Sequence, residues 1–512
     1  MDFMPWRGRS PTPGGGTSSV EEPTGQAVPP LPPKADSYDA TSLARPWMLH
    51  GHFSEDKATV IVIGGGFAGL HACRTMRRDF NVILIDAKEY FEFYPGILRA
   101  YVHPMEHAKL YALYQHICDL MGVRFVWGEA TGVDGMERKV QVRCMAGSRL
   151  QVFDFDYLII ACGSQYGLYM SSTLRPASAA ECLWYPTFLE KVIQTESAWG
   201  HKLDERFLSG RRAHFEHELQ VLKQISGARG TIVIVGAGFV GIEWATEVKY
   251  YFPDIEVIVV ESRDECVGVM PPRCRRYCQR YMERVGIKTI YNFNYHSILQ
   301  TGSERMEVDP GDLQKLGIEG ASRIYMAVGV RSINQFLPEC CLEDCKYDPG
   351  TGAVTRGGFI NCNKQMQVMH QGEDGQAEPF GGGRIYAAGN CCSVAGMRLP
   401  KNSCPGEDMA TVACHNIKAT EKLRNSSYGG CFRFLKPNRT KEIHWGFGTS
   451  CCATSLGPDD ATIVAFSSST PGSGFTVCTG LFAAYQKEFI RWSKVDQCRM
   501  GCLGGLVWSL MH

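Results

Sequence analysis

The sequence lacks any excess of charge: 53 Lys and Arg stand against 53 Asp and Glu in 512 residues. A polyanion-binding surface is therefore not its main feature, and nucleic acid is not an expected partner. Long apolar runs are missing as well. No stretch reaches the ~18–20 residues that a bilayer-spanning helix needs. No secretory leader opens the chain, which predicts an intracellular, reducing location and free thiols for most of the 22 cysteines. Zinc spacing is also absent. Cys274/Cys278 and Cys498/Cys502 lie one helical turn apart, but no second pair or histidine stands at the right distance, so no metal is expected.

What is present begins with a shift in composition. Residues 1–57 are rich in Pro, Gly, Ser and Thr, with Gly14, Gly15 and Gly16 and with Pro29, Pro30, Pro32 and Pro33. Such a segment buries too little apolar surface to order itself and is expected to be a disordered spacer. Arg7 and Arg9 suit a mitochondrial presequence, whereas Glu21, Glu22 and the missing amphipathic period do not.

The organising stretch follows. Thr59-Val60-Ile61-Val62-Ile63 is a β-branched run that reads as a buried strand and breaks at Gly64-Gly65-Gly66. Phe67 and Ala68 then open a helix whose Leu70, Ala72, Cys73 and Met76 suit close packing on a sheet. Gly64, Gly66 and Gly69 form GxGxxG. The first glycine allows the tight turn, the second lets the backbone approach a pyrophosphate, and the third lets helix and strand pack closely. A second strand, 81–85, ends in Asp86 at the spacing of a carboxylate that binds a ribose hydroxyl.

The design returns once. A strand at 231–235 runs into Gly236, Gly238 and Gly241, a helix start carries Glu243, and a strand at 256–260 ends in Glu261. One chain thus carries two independent dinucleotide folds. Glu261 suits the free 2′-hydroxyl of NAD and repels the 2′-phosphate of NADP, with Arg263 softening that repulsion. Further strands are expected near 123–127, 140–144 and 157–160, the last leading into Ala161-Cys162-Gly163-Ser164. Others are expected at 323–328, before Gly329, and at 384–388, before Gly389-Asn390. Helical patterns occupy 213–225 and the region from about 406 (Met409, Val412, Ala413, Ile417), and 462–466 reads as a β-type run.

The order of these landmarks resembles that of the pyridine nucleotide–disulphide oxidoreductases. The aromatic stretch 87–100 sits where their disulfide reductases carry a cysteine pair, and it has no cysteine. That narrows the resemblance to type II NADH dehydrogenases and the apoptosis-inducing-factor-like quinone reductases, over roughly residues 58–425. The resemblance implies an α/β protein with two Rossmann-like (doubly wound, three-layer ββα) dinucleotide-binding domains, the NADH domain inserted in the FAD domain, and a C-terminal extension. The implied boundaries are 58–164 and 325–430 for FAD, 165–324 for NADH and 431–512 for the extension. By position, Gly64, Gly66, Gly69 and Asp86, with Phe67 and Ala68, hold FAD, and Gly236, Gly238, Gly241 and Glu261 hold NADH. Gly163, Gly329, Gly389 and Asn390 complete the cofactor-binding set.

Glu243 matches a glutamate near the nicotinamide and quinone and is the candidate catalytic residue; an acid in a helix's first turn also complements the dipole. Two departures stand out. Asn390 replaces the usual aspartate, keeping an acceptor and losing the charge, and the region 405–413 has no glutamine pair for a quinone.

The implied reaction is non-electrogenic: FAD-dependent oxidation of NADH with electrons passing to a quinone-type acceptor, without a protein nucleophile. Two alternatives stay open. One is a sulfide- or thiol-oxidising flavoprotein using Cys340, Cys341, Cys345, Cys391 or Cys392; the other is a slow-turnover NADH-sensing flavin-binding signalling protein. The tail adds a further expectation. Leu481, Tyr485, Phe489 and Trp492 fall on one helical face, away from Lys487, Arg491 and Lys494, and Leu503, Leu506, Val507, Trp508, Leu510 and Met511 follow. A basic aromatic helix of this kind lies in a bilayer interface, so 481–511 is expected to touch a membrane peripherally, the alternative being a helix that caps the core. A mitochondrial or other organelle membrane surface, or the cytoplasm, is the implied location, and a homodimer is left open.

Overall fold

The computed structural model describes residues 53–145, 149–166, 187–188, 205–293, 314–318, 320–327, 330–343, 346–347, 354–355, 358–372, 376–397, 401–426, 440–444, 451–465 and 474–511. The expected disordered segment lies outside them up to residue 52. Its last residues form a turn, where the Asn81 amide donates to the Ser54 and Lys57 carbonyls at 2.8 and 2.9 Å.

In chain order the first half supplies β1 (Thr59–Ile63), α1 (Phe67–Met76), β2 (Asn81–Asp86), α2 (Ile97–Val102), β3 (Arg124–Asp134), β4 (Lys139–Cys144), β5 (Leu150–Asp154), β6 (Tyr157–Ile160) and β7 (Thr187–Phe188). Next come α3 (Leu208–Gly227), β8 (Thr231–Val235), α4 (Phe239–Tyr251), β9 (Glu256–Val260), α5 (Pro272–Arg284), β10 (Lys288–Ile290) and β11 (Arg323–Met326). The chain closes with β12 (Ile360–Cys362), β13 (Ile385–Ala387), β14 (Cys392–Val394), α6 (Ser403–Ser426), β15 (Cys451–Ser455), β16 (Ala461–Ala465), β17 (Phe475–Thr479), α7 (Leu481–Cys498) and α8 (Cys502–Met511).

Two sheets carry the molecule. The larger has the order β13-β6-β1-β2-β3-β4-β5, parallel from β13 to β3 and antiparallel beyond. The second has the order β7-β11-β8-β9-β10, parallel except for β7. The β-branched runs sit at their centres because a parallel strand covered on both faces needs an almost continuous apolar sequence. Val60, Ile61 and Val62, like Ile232 and Ile234, have no exposed surface. β3 runs past the expected 123–127 because it leaves the parallel ladder and turns into a hairpin with β4.

A buried polar cluster fastens α3 to the aromatic stretch. The Arg211 guanidinium bonds Glu92 (3.0 Å), Glu205 (2.7 Å) and the Tyr101 hydroxyl (2.9 Å). Burial alone would raise the Glu92 carboxyl, but Arg211 and His107 hold it well below the usual range. A third, antiparallel sheet, β15-β16-β17, supports α7. Among the described residues no helix is long and apolar enough to cross a membrane.

Candidate functional site

The two glycine turns are built alike. Gly64 and Gly236 take the left-handed φ values +96° and +105° that only glycine adopts without strain. Gly64 donates to the Ile85 carbonyl (2.8 Å) and Gly236 to the Val260 carbonyl (2.7 Å), so each turn is tied to the end of its neighbouring strand. A Cβ at Gly69 would overlap the Gly64 carbonyl, and one at Gly241 would overlap the Gly236 carbonyl. Both third glycines therefore exist for helix–strand contact. Gly66 and Gly238 face open space, with nothing within 4 Å of a Cβ built on either.

The acids complete each turn. Asp86 accepts the N–H of Gly65 (2.6 Å) and of Lys88 (2.7 Å). Glu261 accepts the N–H of Ala237 (2.7 Å) and of Arg263 (3.1 Å). Each carboxylate thus bonds the residue between the first two glycines and the residue two positions after itself.

The remaining residues expected on the FAD side converge on the first turn. Gly163 (φ +75°) follows β6 and faces open space; Gly389 (φ +89°) follows β13, with the Ala68 Cβ 3.4 Å from where its own would stand. Asn390 is the next residue, and Gly406 at the start of α6 abuts Gly389. Phe67 packs on Phe91 and Phe93, each with a 5.6 Å centroid separation. Gly329 and Cys345 lie outside the described residues.

Glu243, on α4, does not stand free. It accepts Lys487 Nζ from α7 at 2.6 Å and the Ser455 N–H from β15 at 2.8 Å. One turn on, Glu247 pairs with Arg99 of α2 at 2.9 Å, and Arg99 reaches Glu488 of α7 at 3.2 Å. Burial alone would raise the Glu488 carboxyl, but Arg491 and Arg99 hold it below the usual range. These groups border a cavity of about 20 Å³, room for a water.

Sequence reasoning missed Lys487 as a partner of Glu243, and it missed a second pair altogether. Lys494 has no exposed surface, pairs with Glu407 of α6 and lies 5.3 Å from the Phe67 ring centroid. Trp508 Nε1 donates to the other Glu407 oxygen at 2.9 Å. Burial and the Glu407 charge push the neighbouring Asp408 up to about 6. The signal available in sequence was the helical spacing of the tail lysines, which marks a charged face without saying which way it points.

The tail expectation is corrected on that point. Lys487 and Lys494 face inward, Arg491 bonds Glu488 and the Lys109 carbonyl, and Arg499 bonds the Ala108 and Tyr111 carbonyls. It is the apolar face that is turned outward: Leu481, Phe482, Tyr485, Phe489, Leu503 and Leu506 are all exposed.

The model of the pyridine nucleotide-disulphide oxidoreductases matches residues 58–410. The chain belongs to this family. A pyridine nucleotide-disulphide oxidoreductase of this type is a flavin-dependent NAD(P)H oxidoreductase, and FAD and NADH are its cofactors. The chain is 24% identical to ferroptosis suppressor protein 1 from Xenopus tropicalis, over 75% of this chain and 84% of that protein. In fold it resembles the sulfide:quinone oxidoreductase of Aquifex aeolicus (TM-score 0.58, 15% identity, 87% of this chain and 92% of that one). It also resembles NDH2 from Plasmodium falciparum in complex with NADH (TM-score 0.55, 12% identity, 88% and 98%). The residues present fit both cofactors, because the open faces at Gly66, Gly163 and Gly238 leave the room that a pyrophosphate needs.

Proposed function

We propose that this family member oxidises NADH and passes the electrons through FAD to a quinone-type acceptor, without moving charge across a membrane. The observation that carries the reading is the pair of open glycine cradles, at Gly66 and Gly238, in a chain whose aromatic stretch 87–100 holds no cysteine. Bound FAD supplies the two-electron chemistry. The rest falls to the chain's own residues. Gly66 and Gly163 would leave room for the pyrophosphate of FAD and Asp86, which fixes the turn, would bind its ribose; Gly238 and Glu261 would do the same for NADH. Lys487 Nζ donates to Glu243 at the junction of α4 and α7, and this pair is the group that would supply a proton as the acceptor is reduced.

Chemistry as well as kinship supports this acceptor class. The relatives include ferroptosis suppressor protein 1 and proteins whose names specify quinone reduction, and a quinone with a long isoprenoid chain stays in lipid. The outward apolar face of α7 and α8 is the surface that would meet the bilayer. Stopped-flow absorbance tests the function directly. NADH should bleach the flavin, and a short-chain quinone should restore its colour. A flavin that NADH cannot bleach sinks the reading; one that bleaches and ignores quinone points to the sensing alternative.

A further inference from the structure

One cleft lies away from both glycine turns. It has a volume of about 540 Å³ and is lined by Arg74, Thr75, Arg77, Arg78, Asp79 and Lys418. The first five come from the last turn of α1 and the residues just after it, and Lys418 comes from the second half of α6, which packs along α1. Because α1 spans ten residues, the cleft stands roughly 15 Å from the Gly66 turn, at the other end of the helix.

Its charge is lopsided in a chain that is neutral overall. Four cations face one acid, an excess of three positive charges. Lys418 Nζ is held by Asp79 (2.7 Å) and by the Thr75 carbonyl (2.9 Å). The arginines are less engaged. Arg74 Nη2 donates to the Gln497 carbonyl at 2.8 Å and Arg77 Nη1 to the Met121 carbonyl at 3.1 Å, one nitrogen of each guanidinium. Arg74 Nη1 is buried with no hydrogen-bond partner among the described residues, and the Cys498 thiol beside Arg74 is only a weak acceptor. Arg78 is exposed, and its side chain holds no partner among the described residues.

Arginines at the end of a helix commonly do no more than offset the helix dipole. That accounts for the bonds to carbonyls. It does not account for three guanidiniums lining one cleft, one of them with a buried donor left without an acceptor, since such a donor is costly. A guanidinium presents paired N–H groups that match two phosphate oxygens, and it keeps its charge at every relevant pH. The volume falls within the range of small-molecule sites. Among the described residues no aromatic or aliphatic side chain lines the cleft, so nothing there would hold a base or an acyl chain.

We propose that this cleft binds a compact soluble polyanion of two or three linked phosphates, held by Arg74, Arg77 and Arg78 while Lys418 stays with Asp79. A single phosphate carries roughly −1.5 to −2 charges, less than the excess that the cleft presents. The site is separate from both dinucleotide turns and stands whether or not the proposed quinone reaction does.

Titration calorimetry of the FAD-loaded protein with sodium tripolyphosphate, at fixed ionic strength, is the test. One site per chain is expected, with a Tm that climbs as tripolyphosphate is added and with no release of FAD. Orthophosphate should bind more weakly. Arg78→Glu should abolish binding, and Arg78→Gln should weaken it by about tenfold or more. Arg280→Gln, an exposed arginine on α5, should leave it unchanged. If Arg78→Glu does not fold, Arg78→Gln decides alone. Wild-type binding in the Arg78 variants, an equal loss in Arg280→Gln, or a Tm rise that sodium chloride reproduces overturns the site. So does the absence of any heat with tripolyphosphate. If phosphatidylcholine vesicles carrying phosphatidylinositol bisphosphate then bind the wild type and not Arg78→Glu, the arginines serve a lipid headgroup instead.

Discussion

Lys487 Nζ lies 2.6 Å from Glu243 Oε1, so the tail helix α7 is bonded to the first turns of α4. The two side chains are 10% and 12% exposed, and the Ser455 N–H takes a further bond to the same carboxylate. A tail expected from sequence either to touch a membrane peripherally or to cap the core is thereby bonded to the folded unit.

The first prediction concerns that pair. Removing one partner of a fully buried ion pair costs roughly 3–5 kcal/mol, because the other charge is left uncompensated. Residual exposure puts Lys487→Met or Glu243→Gln near the lower end. The double variant should recover part of the loss, read as a coupling in a double-mutant cycle of urea midpoints. Additive single effects would mean that the contact contributes nothing to stability. In either single variant, reduction of quinone should suffer more than bleaching of the flavin by NADH.

The glycines separate two kinds of failure. Gly69→Ala forces a methyl group onto the Gly64 carbonyl and should destabilise the fold by at least ~1–3 kcal/mol. Gly66→Ala meets nothing within 4 Å, at a φ of −67° that alanine accepts, so its fold should stand while its flavin occupancy falls. Thermal unfolding of the flavin-free proteins and the ratio of flavin to protein absorbance measure the two effects. Full occupancy in Gly66→Ala would remove the pyrophosphate from that turn.

Much of this was legible because it is local. The runs Thr59–Ile63 and Thr231–Val235, the glycines after them and the acids Asp86 and Glu261 act over a few dozen residues, so spacing alone identifies them. The pairs Lys487–Glu243 and Lys494–Glu407 span 244 and 87 residues, and nothing near a lysine in sequence announces a distant partner. The tail illustrates the limit most clearly. Its helical period separates an apolar face from a charged one, and the usual assumption buries the apolar face. Here Glu243 and Glu407 draw the charged face inward, and Phe482, Tyr485 and Phe489 are left in the open.

Glu261 is predicted to set the preference for NADH. It is 8% exposed and holds the Ala237 N–H as well as its charge, so Glu261→Ser would loosen the turn and confuse the result. Glu261→Gln keeps an acceptor at that N–H and removes only the repulsion of a 2′-phosphate. The ratio of kcat/KM for NADH over NADPH should fall by about tenfold or more, equivalent to ~1.4 kcal/mol. An unchanged ratio would shift the discrimination to Arg263.

Asp408 gives the fold a pH dependence of known sign. Burial and the charge of Glu407 raise its carboxyl from 3.8 to about 6, so the folded state binds the proton more tightly than the unfolded chain. The associated stability is fully present below pH 3.8 and is lost as pH rises through about 6. Asp408→Asn, which cannot ionise, should therefore raise Tm at pH 7–8 and leave it nearly unchanged near pH 4. Equal shifts at both pH values would place the effect in packing rather than in ionisation.

The exposed face of the tail yields the last prediction. Phe482 and Tyr485 are 63% and 66% exposed, and Phe489, Leu503 and Leu506 lie open on the same two helices. Burying one such side chain in lipid is favourable by roughly 1.5–3 kcal/mol, so a few of them suffice for reversible attachment. The nearby cations contribute little to this, because Lys487, Lys494, Arg491 and Arg499 already hold internal partners. Binding to liposomes should then be nearly independent of anionic lipid content and of salt, unlike that of a polybasic anchor. Phe482→Asp with Leu503→Asp should abolish liposome binding and turnover of a long-chain quinone while leaving folding, FAD content and a short-chain quinone reaction intact. Cutting the chain at Gly480 would strip Glu243 and Glu407 of their lysines and should cost the fold itself. Retained liposome binding in the double aspartate variant, or binding that disappears in neutral lipid, would show that the apolar face is not what meets the membrane.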